Sequence, residues 1–350
     1  MISVRGVTRA AFVVAAVCVF LVSAAAAVVD IQTVPVGNPG NTADMRYAAP
    51  GYPYYGNGVG YGAVAYTYNI GKYEVTANQY TAFLNAVAKT DTYGLYYTNM
   101  SNTSSGSGIA RSGSSGNYAY SVDANFINRP VNYVSWGDSA RFANWLHNGQ
   151  PTGAQGPWTT EDGAYYLNGA TNYAQLIAVS READWKWAVT SEDEWYKAAY
   201  YKGGDANAGY WDYPTSSNTA PGRDMADASG NNANIDGTPF PIDAGKYTTV
   251  AGEFQNSDSP YGTFDQGGNV WEWNEAVIGS KRGARGGDWG TIAWDSVNGR
   301  LDAEGRYPFP PYESYGTGFR VSEVPEPVTM AGMVLGIGGL VGYIRRRMAR

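Results

Sequence analysis

Two carboxylates flank a paired-glycine turn in Phe264-Asp265-Gln266-Gly267-Gly268-Asn269-Val270-Trp271-Glu272-Trp273. Binding a hard cation through oxygen is the chemistry such a segment can do. Calcium takes about six to eight oxygen ligands, carboxylates and carbonyls together, at about 2.3–2.6 Å. Asp265 and Glu272 stand at opposite ends of the turn, and Gly267-Gly268 lets the chain curl so that carbonyls point inward. Without a metal, Asp265 and Asn269 are turn residues and Trp271 and Trp273 are core. Glu272 is then a buried carboxylate that needs a partner such as Arg285 or Arg320.

Other chemistries fail on inventory. Cys18 is the only cysteine and His147 the only histidine among 350 residues. Ser-His-Asp and Cys-His sites would have to be built on His147 itself, and zinc constellations need more His and Cys than the chain has. His147 falls at the end of a predicted helix, where a capping or surface role is expected. Paired-carboxylate chemistry, as in glycoside hydrolysis, is compatible with the composition. Nothing in the spacing of Glu161, Asp162, Asp184, Asp193, Asp288 and Asp302 selects two of them.

Elements must hold these residues in place. Alternating apolar and polar residues with β-formers predict a strand over 63–73. Thr76 caps a helix through about Lys89, with Tyr80, Phe83, Leu84 and Val87 on one face. Ser135 with Asp138, and Ser191 with Glu194, make capping boxes for two more helices. The first of these carries Ala140, Phe142, Ala143, Trp145 and Leu146. Residues 94–123, rich in Ser, Gly and Asn, read as a long surface loop with little to bury. Another loop covers 149–163, and 203–321 reads as short strands and long loops.

The two ends read as addresses. Arg5 and Arg9 precede an apolar run and then small residues up to Ala27, the pattern of a cleaved secretory signal over 1–27. The other end places Val324-Pro325-Glu326-Pro327 before an apolar stretch, 328–344, and Arg345-Arg346-Arg347. Its 17 residues at about 1.5 Å each span roughly 26 Å, enough for a short transmembrane helix. The arginines hold the distal end in the cytoplasm and leave the rest outside. Residues 28–324 carry 30 acids and 18 basic residues, a net charge of −12. Nucleic acid is therefore excluded as a partner, since no cluster of Lys and Arg is present to release counterions. With no cysteine in this span, disulfides contribute nothing. Twenty-nine Tyr, 11 Trp and 45 Gly point to a loop-rich fold pinned by aromatic anchors.

Six ordered motifs carry a family resemblance. They are Ile70-Gly71-Lys72-Tyr73-Glu74-Val75-Thr76, Arg129-Pro130-Val131 with Val134-Ser135-Trp136, and Ser191-Glu192-Asp193-Glu194-Trp195. The segment 264–273, Arg285-Gly286-Gly287-Asp288-Trp289 and Gly318-Phe319-Arg320-Val321 complete the set. Together they resemble the sulfatase-modifying-factor domain, whose best-known members are formylglycine-generating enzymes. The resemblance implies an α+β, elaborated C-type-lectin-like fold over 28–323, loop-rich with low regular secondary structure. Val189-Thr190 departs from it, since the family usually has Leu-Pro there. The family pattern implies one calcium site from Asp265, the Gly268 and Val270 carbonyls and Glu272. It implies a second from Asn234, the Ile235 carbonyl, Asp243 and the Gly245 carbonyl. Formylglycine-generating enzymes also hold copper on a cysteine pair, and the matching positions here are Thr291 and Ser296. A hydroxyl is not a soft copper ligand, so no copper is expected. A sister branch binds iron on three histidines, which His147 alone does not supply.

The C-terminal tail resembles the PEP-CTERM sorting signal of Gram-negative bacteria, which an exosortase recognises and which usually accompanies exopolysaccharide production. The function implied is that of an exported, non-catalytic binding or structural protein of the cell surface or extracellular matrix. Its expected ligand is a glycan or an envelope protein, met by aromatic loops such as Tyr52-Pro53-Tyr54-Tyr55 and residues 307–315. The alternatives are a formylglycine-generating oxidase acting on exported sulfatases and a purely mechanical matrix component.

Overall fold

The computed structural model describes residues 28–49, 56–205, 207–292 and 301–324. The predicted signal sequence, the tail with its helix over 328–344, Tyr52-Pro53-Tyr54-Tyr55 and Ser296 lie outside the described residues. Among the described residues no helix is long and apolar enough to cross a membrane.

Strand β1 (Thr33–Val36) pairs antiparallel with β2 (Tyr68–Gly71). The strand predicted over 63–73 is shorter than expected. Only Tyr68–Gly71 pairs as a strand, with β1 on one edge and Ser322 and Glu323 on the other. Helix α1 (Ala77–Val87) opens on a reciprocal cap between Thr76 and Gln79 and buries Tyr80, Phe83, Leu84 and Val87.

Residues 94–123 correct the expectation of a surface loop. They contain a 3-10 turn (Thr98–Ser101) and a hairpin of β3 (Ile109–Ser112) and β4 (Ala119–Val122). Met100, Ile109 and Tyr120 are buried. The Tyr120 hydroxyl donates to the Ala88 carbonyl at 2.8 Å, and the Asn85 side chain pairs with the Tyr120 backbone in both directions. A few anchors dock the hairpin on α1, with no apolar run to announce it.

Helix α2 (Trp136–His147) starts at the Ser135–Asp138 box. Helix α3 (Tyr173–Ala178) starts at a further box, Asn172 with Gln175, which the sequence pattern did not announce. Strand β5 (Trp187–Val189) leads through Ser191 into α4 (Glu192–Tyr200). In the second large sheet β6 (Trp271–Ile278) pairs antiparallel with β7 (Lys281–Arg285), which pairs with β8 (Tyr307–Phe309). On its other edge β6 runs parallel to β9 (Thr317–Phe319). Strand β10 (Val321–Glu323) then enters the first sheet between β2 and β5.

Only Arg320 separates β9 from β10, so one residue joins the two sheets. Trp136, Phe142, Trp145, Trp273 and Phe319 share the largest core cluster, and the Phe142 and Phe319 ring centroids lie 5.4 Å apart. The result is a loop-rich α+β fold, as the sequence led one to expect.

Candidate functional site

The loop before β6 is built from three successive demands on the backbone. Asp265, Gly268 and Asn269 all adopt positive φ, at 59°, 84° and 63°. Asp and Asn tolerate that region better than other side-chain-bearing residues. Gly268 is needed for a second reason, because a Cβ there would stand 2.3 Å from the Asn234 carbonyl oxygen. This close approach lets the Asn269 N–H donate to that carbonyl at 2.8 Å, while Gly268 N donates to the Gly286 carbonyl at 2.8 Å.

Asn269 is fully buried and ties the site together. Its Oδ1 accepts from Asn234 Nδ2 at 3.1 Å and from Thr249 N at 2.9 Å, and its Nδ2 donates to Glu74 Oε1 at 3.2 Å. Glu74 Oε2 is sealed from solvent with no partner among the described residues. Burial pushes the Glu74 carboxyl well above the usual carboxylate range, and the Asp265 and Glu272 charges push the same way. Sequence reasoning placed Glu74 only inside a motif. Its distance along the chain from the 264–270 loop hid its membership of this cluster.

Glu272 is fully buried, as is Arg320. Arg320 Nε donates to Oε2 at 2.5 Å and Nη2 to Oε1 at 2.6 Å, while Trp195 Nε1 donates to Oε2 at 2.8 Å. Of the two partners proposed from the sequence, Arg320 is the one that meets Glu272. Arg285 instead serves Glu192 at 2.9 Å. Asp265 Oδ2 accepts from Gly252 N at 2.6 Å, and burial pushes its carboxyl up to about 6.

The first calcium-ligand set therefore spans the loop and the start of β6, and its carboxylates accept from donors of the protein itself. The second set is also engaged. Arg129 and Lys246 both face Asp243, and Arg223 Nε donates to the Ile235 carbonyl at 2.7 Å. The Asn234 side-chain amide donates to the Tyr247 carbonyl at 2.8 Å, and Gly245 lies in the turn between Asp243 and Lys246. Among the described residues, no three His, Cys, Asp or Glu side chains gather as a metal centre. Arg320 places a positive charge beside the carboxylate of the first set, and Arg129 and Lys246 do so for Asp243 of the second.

His147 accepts at Nδ1 from Lys186 N at 3.1 Å, and burial lowers its pKa. It therefore stands as a neutral acceptor holding the chain ahead of β5.

Beyond β7 the Gly286-Gly287 turn presents Asp288, Trp289 and Thr291. Thr291 Oγ1 accepts from Asp288 N at 2.9 Å and donates to Asp288 Oδ1 at 3.1 Å. Gly290 N also donates to Oδ1, at 3.0 Å. The Asp288 carboxyl is pushed up to about 6 by burial. Aromatic rings line this region in series. Phe240 and Tyr247 lie 5.2 Å apart, Tyr247 and Trp289 5.7 Å, and Trp289 and Tyr315 5.9 Å. The tyrosines of residues 307–315, Tyr307, Tyr312 and Tyr315, are all exposed, and Tyr307 also packs beside Trp271.

Comparison with known proteins gives a family match over residues 56–323, to the sulfatase-modifying factor enzyme 1-like domain. Among solved structures the chain is similar to CarF, at 18% identity and a TM-score of 0.49, over 85% of this chain and 99% of that one. It is also similar to Treponema denticola variable protein 1, at 17% identity and a TM-score of 0.48, over 86% and 98%. A third likeness is to PvdO from Pseudomonas aeruginosa, at 19% and 0.42, over 75% and 82%. No curated protein matches the chain.

Proposed function

We propose that this chain, which belongs to the sulfatase-modifying factor enzyme 1-like family, is a member that binds and does not oxidise. The carrying observation is Thr291. It stands where the resemblance puts the first of the family's paired thiols, and its hydroxyl is committed to Asp288. The residues after Cys18 contain no sulfur except methionine. A hydroxyl has too high a pKa to serve as a thiolate-type copper ligand or redox nucleophile. The N-terminal signal pattern and the tail motif support export to the cell surface or an exopolysaccharide matrix, with an exosortase as processing partner and the C-terminal helix crossing the membrane beforehand. The ligand class that an aromatic, amide-rich surface suits is a glycan or an envelope protein.

The test is a copper-supplemented incubation of the purified protein with a cysteine-containing sulfatase peptide, read by mass spectrometry. The peptide is expected to keep its thiol. Formation of formylglycine would establish the rival oxidase function and end this proposal.

A further inference from the structure

Resting on the non-oxidising function proposed above, we infer that Asp288 and the rings around it form a binding site for a neutral glycan. Asp288 is 7% exposed, and its side-chain hydrogen bonds among the described residues fall on Oδ1. No described donor reaches Oδ2, and this oxygen is not among the polar atoms sealed from solvent without a partner. Among the described residues Oδ2 is thus an acceptor that no donor uses. Oδ2 lies against the backbone of Gly316, so closely that a Cβ there would be 2.1 Å away. The next residue back is Tyr315, 56% exposed, and Phe240, 43% exposed, ends the same ring series. Trp289, 2% exposed, is the floor on which Tyr247 and Tyr315 lean.

The ring-bearing loop is held before any ligand arrives. Asn132 Nδ2 donates to the Tyr315 carbonyl at 2.5 Å, Trp271 N donates to the Gly316 carbonyl at 2.7 Å, and Thr317 N donates to the Ser314 carbonyl at 3.2 Å. Little ordering entropy is left to lose on binding. Open aromatic faces beside a fixed acceptor suit a pyranose, whose C–H face packs on a ring while its hydroxyls donate to the carboxylate. Charge selects among glycans. A carboxylate at the centre of the site and a net charge of −12 over residues 28–324 repel uronates and sulfated sugars.

Affinity electrophoresis of the full-length chain through gels containing dextran, mannan, soluble cellulose or alginate tests this. At least one neutral polymer should retard the protein, and alginate should not. Tyr315→Ala alters an exposed side chain and Asp288→Asn keeps the Oδ1 acceptor. Each should weaken retardation about tenfold, equivalent to about 1.4 kcal/mol, with the far-ultraviolet circular dichroism unchanged. No retardation by any neutral polymer, retardation by alginate alone, or retardation indifferent to both substitutions would overturn the inference. Those outcomes leave the non-oxidising function standing, whereas formylglycine in the peptide assay removes that function and leaves the electrophoresis to be read by itself.

Discussion

Arg320 occupies the single position between β9 and β10, and from there its guanidinium closes on Glu272 in β6 with two parallel hydrogen bonds. The residue that joins the two sheets is therefore also the counter-ion of the acidic loop. Its Nη1 and Nη2 donate further to the Gly71 and Phe264 carbonyls, both at 2.9 Å, so β2 and the loop are held by the same group.

Removing one partner leaves the other charged, buried and unpaired. Glu272→Gln is expected to destabilise the fold by about 3–5 kcal/mol, measured by chemical denaturation. A double substitution, Glu272→Leu with Arg320→Met, should recover part of that loss, because no lone charge then stays buried. A double variant as unstable as the sum of its single changes would show that the pairing is not the source of the effect.

Calcium should have little to gain where Arg320 already sits. Thermal melts of the wild-type protein in calcium and in chelator are expected to share one midpoint. A midpoint that rises with calcium would show that the folded protein binds the ion despite these internal donors, by the mass-action stabilisation that ligand binding brings.

Two glycines separate conformational strain from collision. Gly279 has φ 62° and open space for 4 Å around the place a Cβ would take, whereas at Gly268 a Cβ meets the Asn234 carbonyl at 2.3 Å. Gly279→Ala should cost only the left-handed penalty of about 1–2 kcal/mol. Gly268→Ala should lower the melting temperature further, because Asn234 must move and its bond to the Asn269 N–H is lost.

Acidity should stabilise this protein down to a limit. Burial raises the Asp138 carboxyl to about 7, with the Glu313 charge pushing the same way, and raises Asp288 to about 6. Above an ordinary aspartate value of about 3.8 the folded form binds these protons more tightly than the unfolded chain, so stability falls as pH rises towards 6–7. Glu192 and Glu194 work in the opposite sense. Burial opposes their ionisation, but Arg285 and Arg306 for the first and Arg181 for the second outweigh it and lower both carboxyls. Their contribution is lost as pH drops below about 4.5. The melting temperature is expected to peak near pH 5, and Asp138→Asn should flatten the slope between about pH 5 and 7.

Much was legible in the chain because it is written locally. Thr76, Ser135 and Ser191 announced helix starts, since a cap needs only its own residue and one three positions on. The motif order gave the fold and family, and the cysteine and histidine counts bounded the chemistry. The sequence also narrowed the partner of Glu272 to two arginines. Tertiary structure decided between them, because the choice depends on β9 and β10 lying in different sheets. It alone brought Glu74 to Asn269 across 195 positions, docked the β3–β4 hairpin through Tyr120, and set Trp289, next to Asp288, against the exposed Tyr315. Such outcomes depend on which distant surfaces meet once water is expelled, and no periodicity along the chain encodes that.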